Sequence, residues 1–225
     1  YSDTRVTTLK IGEDKSWSEN LINAVNLLPE SKVLFFLEDA FLVERVDSEK
    51  IMKLIEWSSS KKVEYLRLRP DPKPDLKYNN EIGLISKQAM WRTSLFISIW
   101  DKKVLLDLLI PGENAWQFEI DGTIRSYKYE NFFSVKKPVI QYLHGVEKGK
   151  WILKTYNKVK AKRSVIDIKN NKREVMSKME YREYILSGFK GRLILLIPMK
   201  YRWIIILRKR KISDLSSQMY RTLFR

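Results

Sequence analysis

Glu38 and Asp39 stand directly after Lys32–Leu37, KVLFFL, a near-continuous apolar run. Such a run reads as a strand buried on both faces of a mainly parallel sheet. In open α/β sheets, ligands collect beyond the carboxyl ends of the strands. Two carboxylates at that place offer hard oxygen ligands to Mg²⁺ or Mn²⁺, and such a cation would neutralise a nucleotide diphosphate. The same pair also reads as a cap on the following turn, and spacing alone does not choose between the two.

Other chemistries are thinly supplied. The 225 residues contain no Cys and one His, so thiolate chemistry, disulfides and His-rich metal sites are excluded. A lack of Cys agrees with a reducing compartment. The patterns GxxxxGK[ST], GxSxG, HExxH and GxGxxG are absent. Ser/His/Asp hydrolysis would have to recruit His144 with no supporting motif. The chain opens at Tyr1 without Met, which sets the expectation of a further N-terminal segment, and no signal-peptide pattern is read.

The elements that must position the acids follow from periodicity. Residues 5–11, RVTTLKI, predict a strand by alternation and β-branching. Residues 16–28 predict a helix, with Ser16 and Glu19 as a capping box and Pro29 as its stop. A helix over 47–58 is capped by Asp47 or Ser48 and turns Ile51, Met52, Leu54 and Ile55 inward. Residues 63–68 form a second strand, and Pro70, Pro72 and Pro74 force an extended loop. Further strands are expected at 82–86, 126–135 and 138–143, and a helix at 102–110 ends at Pro111-Gly112. Residues 88–99 fit strand or helix, and 114–119 a helix start or an irregular loop. This alternation predicts an α/β sandwich with a mostly parallel sheet.

Several stretches resemble bacterial GT-A-type glycosyltransferases of polysaccharide biosynthesis clusters. They are SWSENLINAVNLL, VLFFLEDAF, VEYLRLRP, SKQAMWRTSLF and NAWQFEIDGTIRS, in that order across residues 16–126. Ala40 and Phe41 stand where the usual acidic motif has its second Asp. The resemblance implies a GT-A-like three-layer sandwich over residues 1–150. It also implies transfer of a sugar from a nucleotide-sugar donor to a hydroxyl of a glycan or lipid-linked acceptor. Asp39 would be the metal or diphosphate residue with Glu38 beside it, and Mn²⁺ or Mg²⁺ the cofactor. Glu119 would be the general base of an inverting displacement. Arg67 and Arg69 would bind phosphate, and Gln88, Trp91 and Trp116 would face the acceptor. His144 would be a late metal or phosphate ligand. A non-catalytic scaffold of the same fold is the alternative.

Charge divides the chain. Residues 1–150 carry 23 Lys+Arg and 22 Asp+Glu, whereas residues 151–225 carry 20 and 5. The cationic part, with Tyr184–Arg210 apolar but interrupted by Gly188, Gly191, Pro198, Lys200 and Arg202, predicts a helical appendage. It fits the headgroup plane of an anionic membrane better than a span, which needs about 20 apolar residues. A solvated basic face is the plainer reading. Nucleic acid is the competing partner, and the apolar runs LILLI and WIIIL argue against it. The expected place is cytoplasmic, peripheral on the inner face of the membrane.

Overall fold

The computed structural model describes residues 3–161, 172–197 and 201. The part of the predicted membrane segment from 198 to 210, apart from Tyr201, lies outside the described residues.

Local signals set the first helices. Helix α1 (Trp17–Asn26) begins at Ser16, whose hydroxyl accepts from the Glu19 amide, and Glu19 reaches back to the Ser16 amide. This closes the predicted capping box and satisfies two otherwise orphan donors. Helix α2 (Ser48–Ser60) is capped by Asp47, which accepts from the Lys50 amide. Ile51 and Leu54 point inward as predicted, but Met52 is 53% exposed.

The strands are β1 (Lys32–Phe35), β2 (Ala40–Leu42), β3 (Tyr65–Arg67), β4 (Leu76–Lys77), β5 (Ile82–Leu84), β6 (Ser98–Asp101), β7 (Phe132–Val135), β8 (Tyr142–His144), β9 (Val146–Glu147) and β10 (Lys150–Trp151). Six of them form one sheet in the order β1-β6-β3-β7-β5-β4. Only β3 and β7 run parallel, and every other neighbouring pair is antiparallel. The fold is therefore mixed α/β, and the prediction of a mostly parallel sheet is corrected. The reason is β6. It enters the sheet between β1 and β3 and runs against both, so the strand–helix alternation does not stand for repeated right-handed crossovers.

The sheet carries helices on both faces, and side-chain alternation shows it. Leu66, Leu68, Ile97, Ile99, Phe133 and Val135 face Ile51 and Leu54 of α2. Tyr65, Trp100 and Phe132 face Val25 of α1 and Val104, Leu105 and Leu108 of α3 (Lys102–Leu108). The period of two assigns successive residues to opposite cores. For lack of neighbours one predicted strand does not form and another forms without its expected burial. Residues 5–11 form no strand, and Val6 is 50% exposed. Strand β1 lies at an edge, so Leu34 and Phe36 are 38% and 36% exposed rather than buried. β-Propensity acts through cross-strand partners, and an apolar run alone does not supply them.

Beyond β7 the chain folds back. Strands β2 and β8 pair, with Ala40 opposite His144. Strands β9 and β10 form a hairpin whose turn residues Lys148 and Gly149 both carry positive φ, 50° and 78°. That conformation matches the twist of a two-residue hairpin. The hairpin spans residue 150, and Trp151 is fully buried with its ring stacked on Phe41 at 4.8 Å. Helix α6 (Leu153–Ala161) follows, and Thr155 Oγ1 donates to the His144 carbonyl at 2.8 Å. Helix α7 (Lys178–Leu196) starts from Ser177, with Glu180 Oε1 accepting from Lys150 Nζ at 2.7 Å. Among the described residues no helix is long and apolar enough to cross a membrane.

Two expectations follow. Arg92 is fully buried, and its guanidinium donates to the carbonyls of Ile85, Ser126 and Tyr129. Its pKa is lowered to about 10, chiefly by burial, with Glu64, Glu130 and Asp75 opposing. Arg92→Met leaves those acceptors unpaired and should cost about 3 kcal/mol in urea unfolding. A loss under 1 kcal/mol would contradict that role. Glu180 is held down at about pH 2, first by Lys150 and then by the Ser177 amide. A depressed carboxylate stabilises above its unfolded pKa and loses that contribution as the pH falls toward its folded value. The protection factors of amides in the first turn of α7 should therefore fall between the ordinary glutamate range and about pH 2. Glu180→Gln should show the low protection already at neutral pH.

Candidate functional site

Asp39 and His144 are 105 positions apart, and the β2–β8 register brings them together. His144 Nε2 lies 3.0 Å from Asp39 Oδ2. The Asp39 carbonyl accepts from the Gly145 amide at 2.8 Å, which locks the start of β2 onto the end of β8. Gly145 is required there, because a Cβ at this position would lie 2.1 Å from Phe41 Cε2. Both side chains are partly open, 24% exposed for Asp39 and 27% for His144.

The hydrogen bonding leaves one vacancy. Asp39 Oδ1 is buried and has no hydrogen-bond partner among the described residues. A carboxylate oxygen taken out of water without a donor or cation is costly. The ring network also fixes a consistent tautomer. If Nε2–H donates to Asp39, Nδ1 is the acceptor, and Tyr184 OH stands 3.4 Å from that nitrogen. The carboxylate thus orients the imidazole, as a carboxylate orients a metal-ligating histidine.

Around this pair lies a mixed aromatic and charged wall. Phe96 meets the His144 ring edge-on at 6.3 Å and stacks on Tyr142 at 5.5 Å. The Arg69 guanidinium sits over the Tyr142 ring, 4.5 Å from its centroid. Burial pushes the Tyr142 phenol well above its usual range; Arg69 opposes the shift, and Asp71 and Asp39 add to it. One cation and two carboxylates therefore act on the same phenol beside Asp39.

The predicted residues divide into three groups. Asp39, His144 and Arg69 gather here, and Glu38 is exposed at the adjacent position. Glu119 belongs to a second centre. It lies in a π-helical turn (Phe118–Gly122) between α4 (Ala115–Gln117) and α5 (Thr123–Arg125). Its Oε1 accepts from the Leu95 amide at 2.8 Å and from Ser94 Oγ at 3.1 Å. The next residue along, Phe96, touches His144, so the two carboxylate centres reach the segment Ser94–Phe96 by separate contacts. Sequence reading placed Glu119 in a helix start or loop and did not reveal its hold on that segment.

The remaining residues play other parts. Arg67, expected at a phosphate, is 1% exposed. It donates to the carbonyls of Pro72 at 2.7 Å and Trp91 at 2.6 Å, and to Tyr65 OH at 3.2 Å. These bonds fasten the proline loop and the 91–95 loop to β3, away from open surface. Trp91 is half-buried with φ 51°. Gln88 is exposed, and Trp116 is 65% exposed on α4. Missed altogether were Tyr184 and the second buried arginine, Arg92. Only long-range pairing could have pointed to either.

Among the described residues no group of three His, Asp or Glu side chains could hold a metal ion. Both His144 nitrogens are engaged, Nε2 with Asp39 and Nδ1 with Tyr184, so Asp39 Oδ1 is the oxygen this pair would offer a cation. One carboxylate oxygen fits a cation bound largely through substrate phosphates, as Mg²⁺ often is. No family model, curated protein or solved structure matches the chain.

Proposed function

We propose that the chain is a glycosyltransferase with a GT-A-like arrangement, moving a sugar from a nucleotide-sugar donor to a hydroxyl of a glycan or lipid-linked acceptor. The observation that carries this reading is the buried, unpartnered Oδ1 of Asp39 beside His144 and near Arg69. An oxygen in that state is complete only with a donor group or a cation opposite it.

In this reading Asp39, oriented by His144, would hold the donor diphosphate through Mn²⁺ or Mg²⁺, and Arg69 adds positive charge on the same side. A divalent cation there would stabilise the departing diphosphate. Glu119 takes the proton from the acceptor hydroxyl, and Trp116 offers a flat apolar face to a sugar ring. Glu38, Gln88 and Trp91 are the further contacts. The basic C-terminal third meets an anionic membrane on its inner face. Glu119 already accepts two hydrogen bonds through Oε1. A base so fixed is oriented before substrate arrives.

Glu119 is tested by two replacements. Glu119→Gln keeps an oxygen for the Leu95 amide, so its unfolding free energy should change by less than about 1 kcal/mol. Its release of nucleotide from UDP-, GDP-, CMP- or TDP-sugars in the presence of acceptor should fall at least about 100-fold. Glu119→Ala orphans the Leu95 amide and should cost about 2 kcal/mol as well. Undiminished turnover in Glu119→Gln removes Glu119 as the base.

A further inference from the structure

Helix α7 differs between its two halves. Its first half is fastened inward. Glu180 pairs with Lys150, Tyr181 and Tyr184 stack at 6.3 Å, and Tyr184 OH reaches His144 Nδ1. Positions 177, 180, 181 and 184 recur at helical spacing and share one side. Further along, five large apolar side chains stand exposed. Ile185 is 49% exposed, Leu186 58%, Phe189 60%, Leu193 46% and Leu196 80%. At 100° per residue these five fall within about one third of the helix circumference.

A contiguous strip of large exposed apolar side chains marks a surface that something covers. Charge decides what. Residues 151–225 carry 20 Lys+Arg against 5 Asp+Glu. A second copy of the chain would bring the same excess of positive charge to the interface and repel it. Nucleic acid would satisfy the charge but not the strip. An anionic phospholipid surface satisfies both. Headgroups take the cations, and the acyl boundary takes the apolar face of a helix lying in plane.

We propose that α7 docks the protein on an anionic phospholipid surface through Ile185, Leu186, Phe189, Leu193 and Leu196, and that Tyr184 carries the docking to the Asp39–His144 pair. The docked helix is about 10 Å across, so the pair lies within roughly one helix diameter of the lipid headgroups. The docking stands on α7 alone. Its bearing on sugar transfer rests on the function proposed above, where it would regulate the same site from the membrane side.

The test uses the full chain and no sugar, so it is independent of the transferase reading. His144 is the only histidine, and its imidazole gives a single NMR signal. The chain should float with equimolar phosphatidylcholine–phosphatidylglycerol vesicles and not with pure phosphatidylcholine. The double variant Phe189→Glu, Leu193→Glu replaces exposed side chains, so its thermal unfolding should match the wild type. Its vesicle-bound fraction should fall at least about tenfold. Vesicles should shift the His144 signal in the wild type. In Tyr184→Phe they should bind equally and leave that signal still. Docking is overturned by absent flotation, by unchanged flotation of the double variant, or by a lipid-free dimer that this variant dissolves. A His144 signal indifferent to vesicles overturns the coupling.

Discussion

Arg67 and Arg92 carry their charges into the interior, each with at most 1% exposure. Each guanidinium is spread over main-chain carbonyls, and together these bonds tie the proline loop, the 91–95 loop, Ile85 and the 126–129 turn to the sheet. A buried cation is tolerable only when hydrogen bonds replace its water. The demand is mutual, since the carbonyls of a buried loop also need donors. The 91–95 loop is the common term. Its backbone receives Arg67 at Trp91, Tyr65 OH at Ser94 and Glu119 at Leu95. Both carboxylate centres of the candidate site are referenced to this one loop, Glu119 through the Leu95 amide and Asp39–His144 through Phe96.

That dependence explains what the sequence could disclose. Ser16 and Glu19 announced α1, Asp47 announced α2, and Pro111-Gly112 marked the end of α3, because caps and breakers act within a few residues. The apolar run of residues 32–37 was legible as a strand but not as an edge, since edge or centre depends on which strands pair beside it. The same non-local choice put β6 antiparallel between β1 and β3 and undid the parallel sheet. Asp39 and Glu119 were legible as candidates through a family resemblance. The Asp39–His144 bond was not, because the β2–β8 register that creates it joins positions 105 apart. Arg67 looked like a phosphate ligand, and only the positions of Pro72 and Trp91 reveal its structural use.

The proposed sugar transfer and the proposed docking meet at one imidazole. His144 faces Asp39 with one nitrogen and Tyr184 of α7 with the other. A helix that bears an exposed apolar strip is therefore in hydrogen-bond reach of the residue that orients the candidate metal and diphosphate ligand. The hairpin β9–β10 and the buried Trp151 hold α6 and α7 against the body. The basic C-terminal third thus begins inside the fold, and its first helices are part of the wall of the site.

Asp39 is the group proposed to receive a nucleotide sugar. The most direct measurement is thermal unfolding of the wild-type chain and of Asp39→Asn with UDP-, GDP-, CMP- and TDP-linked sugars, each with and without Mn²⁺. One nucleotide sugar at about 100 times its Kd should raise the wild-type Tm by about 5 °C through ligand linkage, and should leave Asp39→Asn unmoved. A panel without any shift, or an equal shift in both proteins, contradicts the assignment.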